Sequence, residues 1–205
     1  MRPQTSRAAS HAPARLPRRA PPAAVLGNSI FNVSGLSLMI GLSQALETLC
    51  GQAYGARQYS MVGVYLQRSL VICGLASLPL IAGFTQAPRI LRLMGQDPEI
   101  SALAGQYLLG LAPALVGSGL TECLRRFLVA QGQVHVPNAA AVLSTALTPL
   151  FLWLLVFRAG LGLIGGALAT AAGQWVNALV HLAFIAFIDG PHKRCWPGFS
   201  LEAFR

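Results

Sequence analysis

The sequence is poor in charge, and above all in acid. Charged residues make up 10% of the 205 positions, and only 6 positions are Asp or Glu. An average soluble protein has about 25% charged residues. Apolar residues make up 54%, which leaves too few polar side chains to cover a soluble domain. We therefore predict a membrane protein, in which the net charge of +9 indicates orientation and headgroup contact rather than nucleic-acid binding.

Motifs for catalysis and metal binding are also missing. Cys50, Cys73, Cys123 and Cys195 are too far apart in sequence to form a CxxC metal or redox motif, and we interpret them as small buried hydrophobes. The chain has no cluster of His and acids and no G-x-S-x-G nucleophile motif. We predict no enzyme activity, no cofactor and no bound metal.

Five long stretches carry no charge. They comprise residues 20–46, 69–88, 100–121, 127–157 and 159–188. Each reaches about 20 residues, which suffices for a helix to cross a bilayer, and none shows the strict alternation of a barrel strand. We predict an all-α polytopic membrane bundle of about five transmembrane helices, near 24–50, 66–87, 101–124, 136–157 and 163–188.

The predicted divisions of the chain follow from these helices. They are a basic, disordered, Pro/Ala-rich leader at 1–22, the five-helix bundle at 23–190 and a cytoplasmic tail at 191–205. Between the second and third helices, Asp97-Pro98 is typical of a helix start. An organellar transit peptide is an alternative for the leader, because it is rich in Arg and free of acid.

Basic residues predict the orientation. The loops after the first, third and fifth helices are richer in Lys and Arg than the other two, and their basic residues include Arg57, Arg125 and Arg126. This places those loops in the cytoplasm and the start of the first helix outside. The arginines of the leader conflict with that orientation, because they would then lie on the outer side of the membrane.

Several segments resemble, in order, the multidrug and toxic compound extrusion (MATE) transporters, especially the plant DETOXIFICATION type. "FNVSGLSLMIGLSQALETLCGQAYGARQY" resembles the second transmembrane helix of that family. "ILRLMGQDPEIS" resembles the loop between the third and fourth helices, "RFLVAQGQVHVP" the approach to the fifth, and "LGLIGGALATAAGQWVNAL" the sixth. The match is collinear over about residues 28–205.

The resemblance implies part of a larger fold. MATE transporters usually have twelve helices in two six-helix lobes, and the matched part corresponds to the second to sixth helices, an incomplete lobe. Absence of a first helix would account for the conflict over the leader, because that helix would carry a cytoplasmic N-terminus to the outside.

The resemblance also implies a function. It is secondary active antiport of organic compounds and xenobiotics, coupled to protons, by a multi-pass protein of the plasma or vacuolar membrane. The implied partners are a small organic substrate, the proton, the lipid bilayer and a second lobe or a full-length relative, with no nucleic acid. A truncated half-lobe would have little activity alone. The alternatives are a non-transporting membrane partner and a gene fragment of a full-length relative.

Coupled antiport needs an intramembrane group that binds a proton or cation in competition with substrate. In MATE transporters, acids on the first or seventh helix do much of this, and the matched part includes neither helix. Polar residues in or beside the predicted helices are the remaining candidates for the pathway. They are Asn32, Gln44, Glu47, Gln52 and Gln174.

The surroundings of these candidates are predicted as follows. The amides would be costly to expose to lipid, so Asn32, Gln44 and Gln174 are expected to face other helices or a wet cavity. Glu47 is expected either to line that cavity or to be a helix-end carboxylate in cytoplasmic water near Arg57.

Two further polar residues, Glu122 and His181, lie in predicted helices. Glu122 lies three and four residues before Arg125 and Arg126, which favours ion pairs on one helix. His181 lies inside the last predicted helix. We interpret it as a packing residue, with a proton relay as the alternative.

Overall fold

The computed structural model describes residues 19–187 and Cys195, and this part of the chain is helical with no strand. Its five long helices are α1 (Ala20–Gly55), α2 (Tyr59–Leu93), α3 (Pro98–Ala130), α4 (His135–Arg158) and α5 (Gly162–Phe187). Each is long and apolar enough to cross a membrane. The predicted all-α fold and its five transmembrane helices are confirmed.

The helices extend past the predicted limits at most ends. The prediction followed the charge-free runs, but the thickness of the hydrocarbon limits only the apolar part of a helix. A helix continues beyond it wherever its backbone hydrogen bonds remain favourable. The C-terminal part of α3, which carries Glu122, Arg125 and Arg126, is therefore still helical.

Helix starts follow local chemistry. α1 begins at Ala20 with Pro21 and Pro22 in its first turn, where a missing N–H needs no partner. The predicted leader at 1–22 therefore overlaps the first helix, and residues 1–18 lie outside the described residues. At the start of α3, the Asp97 carboxylate accepts hydrogen bonds from the backbone N–H groups of Glu99 (2.8 Å) and Ile100 (3.4 Å), as expected for an N-cap. The predicted tail also lies outside the described residues, apart from Cys195.

The third helix is the centre of the bundle. It packs against α1, α2 and α5, whereas α4 packs mainly against α5. Half of the most apolar stretch of α3 is buried, against 6% for α4. Small residues bring the helices together: a β-carbon on Gly105 would lie 2.3 Å from Pro88 Cγ, and one on Gly110 would lie 2.8 Å from Ala167 Cβ. Fully buried side chains of α3 form much of the core; they are Leu108, Leu111, Leu115, Leu124, Phe127 and Leu128.

A π-helical segment, Phe31–Leu36, interrupts α1, and a second, Trp153–Arg158, ends α4. A π turn holds more residues than an α turn. In α1 the buried positions accordingly recur at every fourth residue through this region, which keeps both halves of the helix in contact with the bundle. These positions are Ala23, Gly27, Phe31, Gly35, Met39 and Ser43.

Candidate functional site: a charged cluster between the first and third helices

A buried arginine links α1 to α3. The side chain of Arg126 is 6% exposed, and its Nε donates a 2.9 Å hydrogen bond to Ser43 Oγ of α1. Its Nη1 forms an ion pair with the carboxylate of Glu47, one turn further along α1. Burial of a guanidinium without partners costs on the order of several kcal/mol of desolvation free energy. These contacts from α1 are what allow Arg126 to lie inside the bundle.

A second carboxylate shares the same guanidinium. Arg126 Nη2 lies 3.6 Å from Glu122 Oε2, and Arg125 Nη2 lies 2.6 Å from the same oxygen. Helical spacing explains both contacts, because residues three and four apart are neighbours on a helix. The ion pairs predicted for Glu122 are therefore confirmed. We call Ser43, Glu47, Glu122, Arg125 and Arg126 the Arg126 cluster.

The two carboxylates of the Arg126 cluster differ in their access to water. The Glu122 side chain is 16% exposed and that of Glu47 is 47% exposed. With both acids ionised, the cluster carries two positive and two negative charges and is neutral. Protonation of Glu47 would remove the ionic contact between α1 and α3 at this end of the helix pair and leave the pairs within α3 in place. Glu47 is thus a carboxylate that water can reach, and it is paired with an arginine that is buried.

The predicted pathway residues lie in different parts of the molecule, and only Glu47 joins the Arg126 cluster. Asn32, Gln44 and Gln52 are exposed on α1. Gln44 and Gln52 are eight residues apart and so share one face of the helix. Gln174 is half-buried at the contact of α5 with α3, where its backbone carbonyl accepts a hydrogen bond of 3.4 Å from Thr121 Oγ1.

Sequence reasoning missed the role of Arg126. It assigned Arg126 to a cytoplasmic loop and expected Arg57 as the neighbour of Glu47 if that acid faced water. In the structure Arg57 is exposed, with a φ of +59° in the turn after α1, and Arg126 pairs with Glu47 across 79 residues. A signal was present, because an arginine within the helical pattern of α3 needs a partner once that helix is buried.

His181 is a buried residue of α5 and is 1% exposed. Its Nδ1 lies 2.8 Å from the backbone oxygen of Asn177, one turn earlier. This contact fits a packing role. No group of three or more His, Cys, Asp or Glu side chains is placed to hold a metal ion within residues 19–187 and Cys195.

The opposite end of the same helix pair has its own arginine. Arg19 Nη1 lies 2.8 Å from Asp97 Oδ1 and 2.8 Å from Glu99 Oε2. All three side chains are well exposed. The pKa of the Asp97 carboxyl lies below its usual value, chiefly because the backbone N–H of Glu99 donates to it, with a further contribution from Arg19.

These features define the class of the protein. Three of the five long apolar helices pack against the central one, α3, and the buried Arg126 is paired. The chain is a multi-pass helical membrane protein.

Comparison with known proteins identifies the family. The sequence model of the MatE family matches residues 14–155, and the chain belongs to this family. It is 38% identical over 183 residues to Protein DETOXIFICATION 16 of Arabidopsis thaliana. It is 43% identical over 172 residues to Protein DETOXIFICATION 1 of the same plant. These matches cover 89% and 82% of this chain, but only 37% and 35% of the relatives.

Solved structures agree with this assignment. The crystal structure of the eukaryotic MATE transporter AtDTX14 is similar with a TM-score of 0.84 at 33% sequence identity, over 89% of this chain and 40% of that one. An inward-facing multidrug resistance MATE family transporter of the MOP superfamily has the same fold, with a TM-score of 0.75 at 20% identity, over 91% of this chain and 43% of that one. The chain thus spans less than half of the proteins it matches.

Proposed function

We propose that this chain forms part of the wall of a secondary active antiporter of the MATE type, which exports organic compounds in exchange for protons. The observation that carries the proposal is the polar face of α1. Gln44 and Gln52 are exposed there within a helix apolar enough to span a membrane. Amides are costly to expose to lipid, so this face meets water or another part of a transporter.

Glu47 is the proposed proton contact. It follows Gln44 by three residues, is half exposed, and is paired with Arg126. A proton arriving at Glu47 would compete with that ion pair, whereas an organic cation near the ionised acid would compete with the proton. Differential binding of this kind is what couples two solutes. Asn32, Gln44, Gln52 and Gln174 are proposed as further residues of the pathway.

A second lobe is the proposed partner of this wall. In many secondary transporters two bundles rock about a central site, and five helices supply only part of such a cavity. The name of a relative at 38% identity, Protein DETOXIFICATION 16, supports export of foreign compounds. The 205-residue chain reconstituted alone is expected to transport at the level of empty vesicles.

A chimera tests the proposal. The segment of AtDTX14 that matches this chain would be replaced by the corresponding residues of this chain, and the chimera would be reconstituted into vesicles with an imposed pH gradient. We expect accumulation of a fluorescent organic cation that a protonophore abolishes, with intact AtDTX14 as the reference. A chimera that folds and inserts but transports no more than empty vesicles would overturn the proposal.

A further inference from the structure

Two thiols from two helices meet in the core beside the Arg126 cluster. Cys123 Sγ of α3 lies 3.6 Å from Cys73 Sγ of α2 and 3.3 Å from Ser69 Oγ. Both cysteines are free thiols and both are buried. The two cysteines are 50 positions apart in the sequence, so no sequence motif predicts that they are in contact.

The separation of the two thiols matches a shared metal ion. Two sulfur atoms bound to one ion at about 2.3 Å each stand about 3.8 Å apart at a tetrahedral angle and about 4.0 Å apart at the roughly 120° angle of a three-ligand site. A disulfide instead requires a separation of about 2.05 Å. An ion can therefore bridge Cys73 and Cys123 with little movement of either helix.

Met39 places a thioether close to α3, because Gly119 has no side chain at the point of contact. A β-carbon on Gly119 would lie 3.1 Å from Met39 Sδ and 3.6 Å from Cys73 Cβ. Gly119 is one turn before Cys123 in α3, so the thioether packs against the turn that leads to Cys123. Met39 is fully buried, and its unbranched side chain adapts easily to a ligand.

We propose that Cys73, Cys123 and Met39 form a binding site for one soft metal ion of the Cu(I) type. Thiolate and thioether ligands select soft ions such as Cu(I), and the donor set has no imidazole or carboxylate that would favour a harder ion. Binding of one Cu(I) by both thiols releases two protons to solvent and involves no change of oxidation state. The bound site then carries one negative charge. The charged groups next to it are Glu122 and Arg126, which are already paired.

A route to the site is visible. A groove of about 320 Å³ runs between α2 and α3 and is lined by Cys73 and Gly119 together with Leu70, Val116 and Leu120. An ion in this groove would reach the site at Cys73, whose side chain lines the groove. Cys50 provides a matched control, because it is equally buried but its Sγ contacts the backbone oxygen of Val62 at 3.8 Å.

The test is a competition for Cu(I). The purified 205-residue chain in detergent, kept reduced and free of oxygen, would be titrated with Cu(I) against a Cu(I)-selective chelating dye. We expect one tightly held ion per chain in the unmodified protein and in Cys50→Ser. We expect loss of that ion in Cys73→Ser and in Cys123→Ser, and roughly tenfold weaker binding in Met39→Leu, an effect typical of a supporting group at a metal site.

Several results would contradict the site. One is an ion retained in the Cys73→Ser/Cys123→Ser double variant, and another is loss of the ion in Cys50→Ser. A third is a chain whose mass, two hydrogens lower, shows a Cys73–Cys123 disulfide that persists under reductant. Circular dichroism and gel filtration would check folding. Cys73→Met and Cys123→Met, which keep a soft ligand, are expected to retain weakened binding even if the serine variants unfold. The test does not depend on transport.

Discussion

Two arginines connect the same pair of helices, one at each end, and they differ in burial. Arg19, at the start of α1, pairs with Asp97 and Glu99 at the start of α3, and its side chain is 47% exposed. Arg126, near the end of α3, pairs with Glu47 near the end of α1 and is 6% exposed. The chemistry is the same, but water reaches both partners of the first contact and only the Glu47 side of the second. Burial therefore decides which of them specifies how α1 lies on α3.

The largest effect is expected from Arg126→Ala. This change leaves Glu122 and Glu47 without their shared cation and opens a space in the core. We expect a loss of about 2 to 3 kcal/mol in the free energy of unfolding, just below the range of about 3 to 5 kcal/mol for a fully buried pair because Glu47 is half exposed. Unfolding of the purified chain in detergent would measure it.

Its matched control is Arg125→Ala, which removes the neighbouring charge from a side chain that is 39% exposed. A loss below about 1 kcal/mol is expected there. Equal losses for the two variants would show that burial does not distinguish them.

Glu47→Gln should have the next largest effect, because it keeps the shape of the side chain and removes the charge that Arg126 contacts. A loss of about 1.5 to 2 kcal/mol is expected, at the low end of the range for a hydrogen bond to a charged group because Glu47 is half exposed. In the transport chimera the same variant should lose proton-driven accumulation. Glu47→Asp is the control, and transport by Glu47→Gln equal to that of the unmodified chimera would contradict the proposed proton contact.

Ser43→Ala should have a smaller effect. It removes the 2.9 Å hydrogen bond that Arg126 Nε donates to Ser43 Oγ, and a loss of about 1 kcal/mol is expected. Ser37→Ala is the comparison, since that hydroxyl is exposed and donates to the backbone oxygen of Asn32. Equal losses of unfolding free energy in Ser37→Ala and Ser43→Ala would show that the contact of Ser43 with Arg126 adds no stability.

Arg19→Ala should have the smallest effect, and one that salt diminishes, because the pair is exposed. The pH dependence at this end comes from Asp97. Its folded pKa lies below the unfolded value, so its contribution to stability is present above the unfolded pKa and is lost as the pH falls through the folded one. Acid titration of the unfolding midpoint should show this loss, and Asp97→Asn should remove it. An unchanged acid profile in Asp97→Asn would exclude this source.

Local features could be predicted because they depend on near neighbours in the sequence. The pairs of Glu122 with Arg125 and Arg126 follow from helical spacing, and the cap at Asp97 follows from an acid before a proline. The π-helical turn in α1 and the close approach of Gly105 to Pro88 could not be predicted, since each depends on how one helix lies against another.

The sequence by itself determined the class of this protein. Its long charge-free runs are apolar enough to require a membrane, and in lipid a helix satisfies its own backbone within one segment. Tertiary structure alone decided the partners. Glu47 meets Arg126 rather than Arg57, and Cys73 meets Cys123, because α3 packs against both α1 and α2. Such contacts join residues 50 or more positions apart, and helical periodicity carries no information over that distance.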